Sequence, residues 1–320
     1  MSAKHPVVAV TGSSGAGTTT VRRVFERVFV QEGINAAFVE GSAFRRYNSV
    51  QTRRLMHGAS TNGARISEFG PELNLFDRLE ALFREYSRTG TGLYRQYIDS
   101  EEDAVLFDQP VGTFTTWTEI PAESDLLFYE GMHGGCIEQT WTRRPMSPSH
   151  NPIVVRERQR LKRRRDIGVD VAQWVDLLIG IAPSVNLEWI QKIHSDHAVK
   201  GYSAEAVTNT IMQRLPDYLR YITPQFSLTD INFQRVPLVD TSNPFIAREV
   251  PTLDESMLVI RFREPERFDL PYFLRRIHNS FMSRPNTMVV PGGEMEHVMG
   301  VICTPTIHEL LGRLREPESG

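Results

Sequence analysis

The stretch Thr11-Gly-Ser-Ser-Gly-Ala-Gly-Thr-Thr-Thr20 constrains this chain more than any other. It follows a short apolar run, Val7-Val8-Ala9-Val10, that reads as a buried strand. It precedes Val21, Phe25, Val28 and Phe29, which recur at helical spacing. A strand that turns through glycines into a helix is the geometry that cradles phosphate. Gly12, Gly15 and Gly17 let the backbone bend tightly and bring peptide N–H groups against anionic oxygens, and the new helix adds the positive end of its dipole. Gly12, Ser13, Ser14, Gly15, Ala16, Gly17, Thr18, Thr19 and Thr20 therefore form the candidate nucleotide loop, with the Thr19 hydroxyl placed to ligate Mg2+. Thr18 stands where the pattern G-x-x-x-x-G-K-[ST] has lysine. A tight turn without a ligand is the plainer reading of the glycines, but the whole context favours nucleotide.

Past the loop, a strand is expected over 36–40, ending in Glu40-Gly-Ser42-Ala-Phe-Arg45-Arg46-Tyr47. Residues just beyond the carboxyl end of a strand in an open parallel sheet face the ligand crevice. Helical patterning covers 51–57 and 75–86. The apolar run 125–130 reads as a buried strand that delivers Glu130 to the site, where it would hold Mg2+ or its water. On position alone, a solvated strand-end carboxylate would be the plainer role. A strand over 175–183 is followed by helices over 186–201 and 204–221, the second with Ser203 as N-cap. The C-terminal third alternates strands at 231–240, 257–263 and 287–290 with helices at 272–281 and 296–315. Fewer helices separate these strands, which implies a mixed sheet.

With 320 residues, the chain is long enough for one large core. Its formal net charge of -3 gives no global attraction to nucleic acid or to an anionic membrane, so neither is an expected partner. Two cysteines, Cys136 and Cys303, beside a nucleotide loop and without a signal-type leader, read as reduced thiols of a cytoplasmic protein. The segment 136–170 differs in composition from the rest and contains Arg156-Glu-Arg-Gln-Arg-Leu-Lys-Arg-Arg-Arg165. It reads as an inserted, solvated basic segment rather than a grip for nucleic acid.

Several blocks together resemble the bacterial type of phosphoribulokinase. They are Gly12-Ser-Ser-Gly-Ala-Gly-Thr, Phe128-Tyr-Glu-Gly-Met-His133, Asn186-Leu-Glu-Trp-Ile-Gln-Lys-Ile-His194, Pro224-Gln-Phe-Ser227, Asp230-Ile-Asn-Phe-Gln-Arg-Val-Pro237 and Asp240-Thr-Ser-Asn-Pro-Phe-Ile-Ala247. The resemblance implies an α/β P-loop kinase fold, with a mixed, mostly parallel central sheet flanked by helices, over a single domain 1–320. It implies transfer of the ATP gamma-phosphate to ribulose 5-phosphate in the Calvin cycle, homo-oligomers and an NADH effector. It assigns catalytic roles to Lys192, Asp196 and Glu130, and metal roles to Thr19, Glu130 and Asp196. Arg261 and Arg284 match the family's effector arginines, and Thr18 agrees with a family that lacks the loop lysine.

The acceptor half departs from the family. Its aspartate base is Ser42 here, its next phosphate-holding arginine is Ser49, and two of its histidines are Glu68 and Asp99. Two lid arginines have become Ser195 and Lys200, the latter keeping charge but losing the bidentate fork. Ser42, Arg45, Arg95, Tyr97 and Lys200 are the candidate acceptor-binding residues. Loss of a positioned base costs about 10²–10⁴ in rate. Two expectations follow: a kinase with an altered acceptor or with Glu68 or Asp99 recruited as base, or a catalytically impaired nucleotide-binding paralogue with a regulatory or assembly role.

Overall fold

The computed structural model describes residues 5–12, 18–62, 66–121, 123–142 and 168–315. The loop residues 13–17 and the basic run 156–165 lie outside these residues.

Ten strands and nine helices occur among the described residues. The first part of the chain gives β1 (Val7–Gly12), α1 (Thr18–Gln31), β2 (Ala36–Glu40), α2 (Ser49–Asn62), α3 (Phe76–Thr89), β3 (Leu93–Tyr94), α4 (Glu101–Phe107), β4 (Thr118–Glu119), β5 (Leu126–Gly131) and α5 (Glu138–Thr142). The second part gives β6 (Leu177–Pro183), α6 (Val185–Lys200), α7 (Ala204–Tyr221), β7 (Ile231–Pro237), β8 (Ser256–Phe262), α8 (Leu270–Arg276), β9 (Phe281–Arg284), β10 (Thr287–Pro291) and α9 (Met295–Arg315).

Eight strands form one sheet in the order β2-β5-β1-β6-β7-β8-β10-β9. From β2 to β7 neighbours run parallel, and from β7 to β9 antiparallel. β1 is buried along its length because both faces are covered. Val8 and Val10 pack with Phe25 and Phe29 of α1 and with Val298 and Ile302 of α9. Val7 and Ala9 face the other layer, with Leu79, Phe83 and Tyr86 of α3. Burial of each large apolar side chain contributes about 1.5–3 kcal/mol, so this double cover holds the glycine-loop strand at the centre of the sheet.

The α/β, mostly parallel, mixed sheet agrees with the sequence expectation, and several boundaries move. α2 starts earlier than 51 because Asn48 and Gln51 form a reciprocal cap: Gln51 N donates to Asn48 Oδ1 at 2.8 Å and Asn48 N to Gln51 Oε1 at 3.1 Å. The helix expected over 272–281 ends at Arg276, and Phe281 instead opens β9. Asn279, at φ 54°, turns the chain between them. α6 ends in Gly201 with φ 67°, and Ser203 caps α7 by accepting from Ala206 N at 3.2 Å. No helix among the described residues is long and apolar enough to cross a membrane. Cys136 and Cys303 are both buried free thiols, and burial raises the pKa of each.

Candidate active site

The strand order sets the site. β5 lies between β2 and β1, and its register pairs Glu130 with Glu40 on one side and with Val10 on the other. Two carboxylates therefore stand side by side where β1 leaves the sheet through Gly12, at the carboxyl edge of the parallel strands. Gly41 and Gly131, just beyond them, come close enough that a Cβ on Gly131 would lie 2.8 Å from Gly41 Cα and 2.5 Å from Tyr129 Oη. Glycine is required there for the two strand ends to converge.

A cleft of about 440 Å3 opens on this edge, lined by Gly12, Glu40, Ser42, Arg45, Asp99 and Glu130, with Arg22 and His133 in its wall. Of the predicted loop, Gly12 ends β1, and Thr18, Thr19 and Thr20 begin α1. Ser13, Ser14, Gly15, Ala16 and Gly17 fall outside the described residues. Glu40 is held by Arg22 and accepts from Ser42 Oγ at 3.2 Å. Burial works against the charge on Arg22. Its hydrogen bond to Glu26 and the fields of Glu40, Glu26 and Glu130 outweigh that, so its pKa stands above the ordinary value.

Gln225 explains the block Pro224-Gln-Phe-Ser227. It is 1% exposed, and its Oε1 accepts from Thr11 Oγ1 at 3.2 Å and Gly135 N at 3.0 Å. Its Nε2 donates to the Met132 and Tyr221 carbonyls at 2.9 Å each. One side chain thus fastens the end of the loop strand to the segment after Glu130. His133 is also buried, with Nε2 3.1 Å from the Phe69 carbonyl, and burial lowers its pKa to about 4. The sequence motifs contained both residues without disclosing these roles.

The acceptor side is carried by the turn after β2. Arg45 stands over the Tyr97 ring, 4.9 Å from its centroid. Arg95 faces inward: Nε donates to the Ala43 carbonyl at 2.9 Å, and Nη2 to the Arg45 carbonyl at 2.6 Å. Its guanidinium also lies 3.7 Å from the Phe114 centroid, and burial lowers its pKa. Arg95 shapes the segment that presents Ser42 and Arg45. Next to the cleft, and sharing Arg45 with it, is a cavity of about 280 Å3 lined by Tyr47, Ser49, Thr52, Arg53 and Tyr97. Arg53 Nε donates to the Ser49 carbonyl at 3.3 Å, so its guanidinium is turned back one helical turn towards Ser49. The sequence reading missed Arg53, whose signal was its i, i+4 relation to Ser49.

A third cavity of about 220 Å3, also lined by Arg45, contains Glu68, Trp189, Lys192 and Arg214. Lys192 Nζ donates to Asp196 Oδ2 at 2.8 Å, and Glu68 is bound to Arg214 at 2.5 Å. Glu130 and Lys192 therefore line neighbouring cavities, and Asp196 is turned to Lys192. Lys200 ends α6. Far from this edge, Arg261 on β8 and Arg284 on β9 both lie opposite Thr287 of β10, one on each side. Among the described residues no three His, Cys, Asp or Glu side chains are grouped to hold a metal by themselves.

The model of the phosphoribulokinase/uridine kinase family matches residues 7–147 and 153–242. The chain is 49% identical over 314 residues to the chromosomal phosphoribulokinase of Cupriavidus necator, covering 98% of each protein. It is 50% identical over 313 residues to the phosphoribulokinase of Sinorhizobium medicae, again over 98% of each. The solved phosphoribulokinase from Rhodobacter spheroides superposes with a TM-score of 0.80 at 42% identity, covering 98% of this chain and 99% of that one. Together with the carboxylate pair at the mouth of the glycine-loop strand, these matches show that the chain belongs to the phosphoribulokinase/uridine kinase family, in its bacterial phosphoribulokinase form.

Proposed function

We propose that this protein is a kinase that moves the ATP gamma-phosphoryl group to a hydroxyl of a sugar phosphate, with ribulose 5-phosphate the first acceptor to test. The observation that carries this is the registered pair Glu40 and Glu130 at the exit of β1, with an arginine-lined cavity opening beside it. ATP lies along the loop 12–20, its phosphates on backbone N–H groups and the start of α1. The residues present suit Mg2+: Thr19 lies in the first turn of α1, and Glu130 supplies one carboxylate. An ion held mainly by nucleotide phosphates and water needs few protein ligands. When bound, the ion neutralises charge building on the transferring group. Lys192 and Asp196 act from α6 as the lid over this group.

The acceptor's own phosphate sits in the cavity of Arg45 and Arg53, with the hydroxyls of Ser49 and Thr52 as further donors. Arg53 thereby returns charge to a subsite from which Ser49 and Glu68 have removed it. Lys200 adds charge from the lid. A single domain houses both subsites, with the segment 136–170 as an insertion. NADH regulation through Arg261 and Arg284, homo-oligomers and a cytoplasmic location belong to the same reading. Ser42 supports a second reading, a nucleotide-binding paralogue with little turnover. The deciding experiment is ADP release by purified protein offered Mg-ATP with ribulose 5-phosphate and other sugar phosphates. Acceptor-dependent ADP release supports the kinase, and nucleotide binding without release supports the paralogue.

A further inference from the structure

The cleft beside Ser42 has a carboxylate for which the preceding roles have no use. Asp99 lines it together with Ser42, Glu40 and Glu130. Its backbone is anchored on both sides. Ile98 is fully buried, donates through N to the Thr113 carbonyl at 3.0 Å and accepts from Gly112 N at 2.7 Å. Ser100 caps α4, accepting from Asp103 N at 3.1 Å. A carboxylate between two such anchors is held at the cleft wall rather than on a free loop.

The other carboxylates nearby are committed. Glu40 is bound by Arg22 and Ser42, Glu26 by Arg22, and Glu68 by Arg214 outside this cleft. Glu130 stands next to the nucleotide loop. The first three are thus each held by an arginine rather than turned to an acceptor hydroxyl. Asp99 faces Glu40 from β2 and Asp103 from α4, and shares the cleft with Glu130 and Arg45.

We propose that Asp99 is the general base of this protein, taking the proton of the acceptor hydroxyl across the cleft from Ser42. The assignment rests on the kinase reading above and identifies its base. As the hydroxyl oxygen bonds to the gamma-phosphorus, the bond from that phosphorus to the β,γ-bridging oxygen breaks. Its electron pair leaves with ADP, and the proton passes to the Asp99 carboxylate and then to water. Partial desolvation at the cleft wall, a hydrogen bond with Asp103 and the fields of Glu40 and Asp103 all raise the proton affinity of Asp99. That brings a carboxylate closer to the working pH and makes it a better base.

The test is kcat against pH for wild type, Asp99→Asn, Ser42→Asp and the double variant, using the acceptor found active, with calorimetric binding of a non-hydrolysable ATP analogue as the folding control. Asp99→Asn is expected to lower kcat by about 10²–10⁴-fold, to abolish the acid limb of the profile and to leave analogue binding unchanged. Ser42→Asp in that background is expected to recover about tenfold or more, because it offers a carboxylate to the same hydroxyl. Asp99→Asn with wild-type kcat and an unmoved acid limb, or a double variant with no recovery, overturns the assignment while the kinase reading stands. A wild type that binds the analogue but phosphorylates no acceptor overturns both.

Discussion

Lys192 and Asp196 close on each other across one turn of α6, with Nζ 2.8 Å from Oδ2. The two side chains are 28% and 13% exposed, and an i, i+4 pair of this kind contributes about 0.3–0.5 kcal/mol. Its importance lies elsewhere: the carboxylate fixes the ammonium on the wall of the third cavity, beside Arg45. Lys192→Met is therefore expected to leave the melting temperature within about 2 °C of wild type. The same change should lower kcat by about 10²–10³-fold, as loss of one preorganised donor does. Calorimetric melting and steady-state kinetics on the same preparation check both halves.

Arg53 and Arg45 line one cavity, and the proposed phosphate seat predicts a particular pattern. Arg53→Ala should raise KM for a phosphorylated acceptor by about 10–100-fold, equivalent to about 1.5–3 kcal/mol for a lost charged hydrogen bond. KM for Mg-ATP should stay within about twofold, since the nucleotide lies along the β1 edge. An equal rise in both KM values would count against this seat.

Gln225 makes four hydrogen bonds while 1% exposed, two accepted and two donated. Gln225→Leu leaves the Gly135 N–H without its acceptor and the Tyr221 carbonyl without this donor, while the Thr11 hydroxyl keeps the Met132 carbonyl at 3.3 Å. Each orphaned group costs about 1–3 kcal/mol. Urea unfolding should show a loss of about 2–4 kcal/mol, accompanied by weaker ATP binding because Thr11 precedes the loop.

His133 sets an acid limit on stability. Burial lowers its pKa from 6.5 in the unfolded chain to about 4 in the fold. Between those values the unfolded state binds more protons. Stability is thus fully present above about pH 6.5 and is lost as pH falls towards 4. The full shift corresponds to about 3 kcal/mol. His133→Gln should flatten that part of the urea midpoint-against-pH curve. An unchanged slope would assign the acid loss to other groups.

Gly131 offers a steric test of the site. A Cβ there would meet the Gly41 backbone at 2.8 Å, which has no flexible way to yield. Gly131→Ala is expected to cost about 1–3 kcal/mol, as overpacking does. It should also lower kcat, because it spreads the strand ends carrying Glu40 and Glu130. Melting and turnover should fall together.

The first strand, the helix that follows the glycines and the Ser203 cap of α7 were readable from the chain. Each depends on neighbours a few residues away, so the local sequence contains the whole interaction. The mixed sheet was likewise legible from the spacing of apolar runs, and the blocks around Glu130 and Lys192 carried the family. What β9 would do was not legible, because the turn at Asn279 and pairing with β10 overrode a helical pattern.

The site was decided at longer range. Glu40 and Glu130 meet because β5 inserts between β2 and β1, a choice made by helices packing on both sheet faces. Glu68 and Asp99 looked equivalent as replacement bases, but Arg214, 146 residues from Glu68, captures one and leaves the other in the cleft. Arg95 appeared ready for a ligand, and its burial against Phe114 and two carbonyls turns it into a support for Arg45. Sequence by itself determines which groups exist and which short-range structure they favour. Which charge neutralises which, and which remains for chemistry, depends on strand register and side-chain burial, and those arise only when distant segments pack.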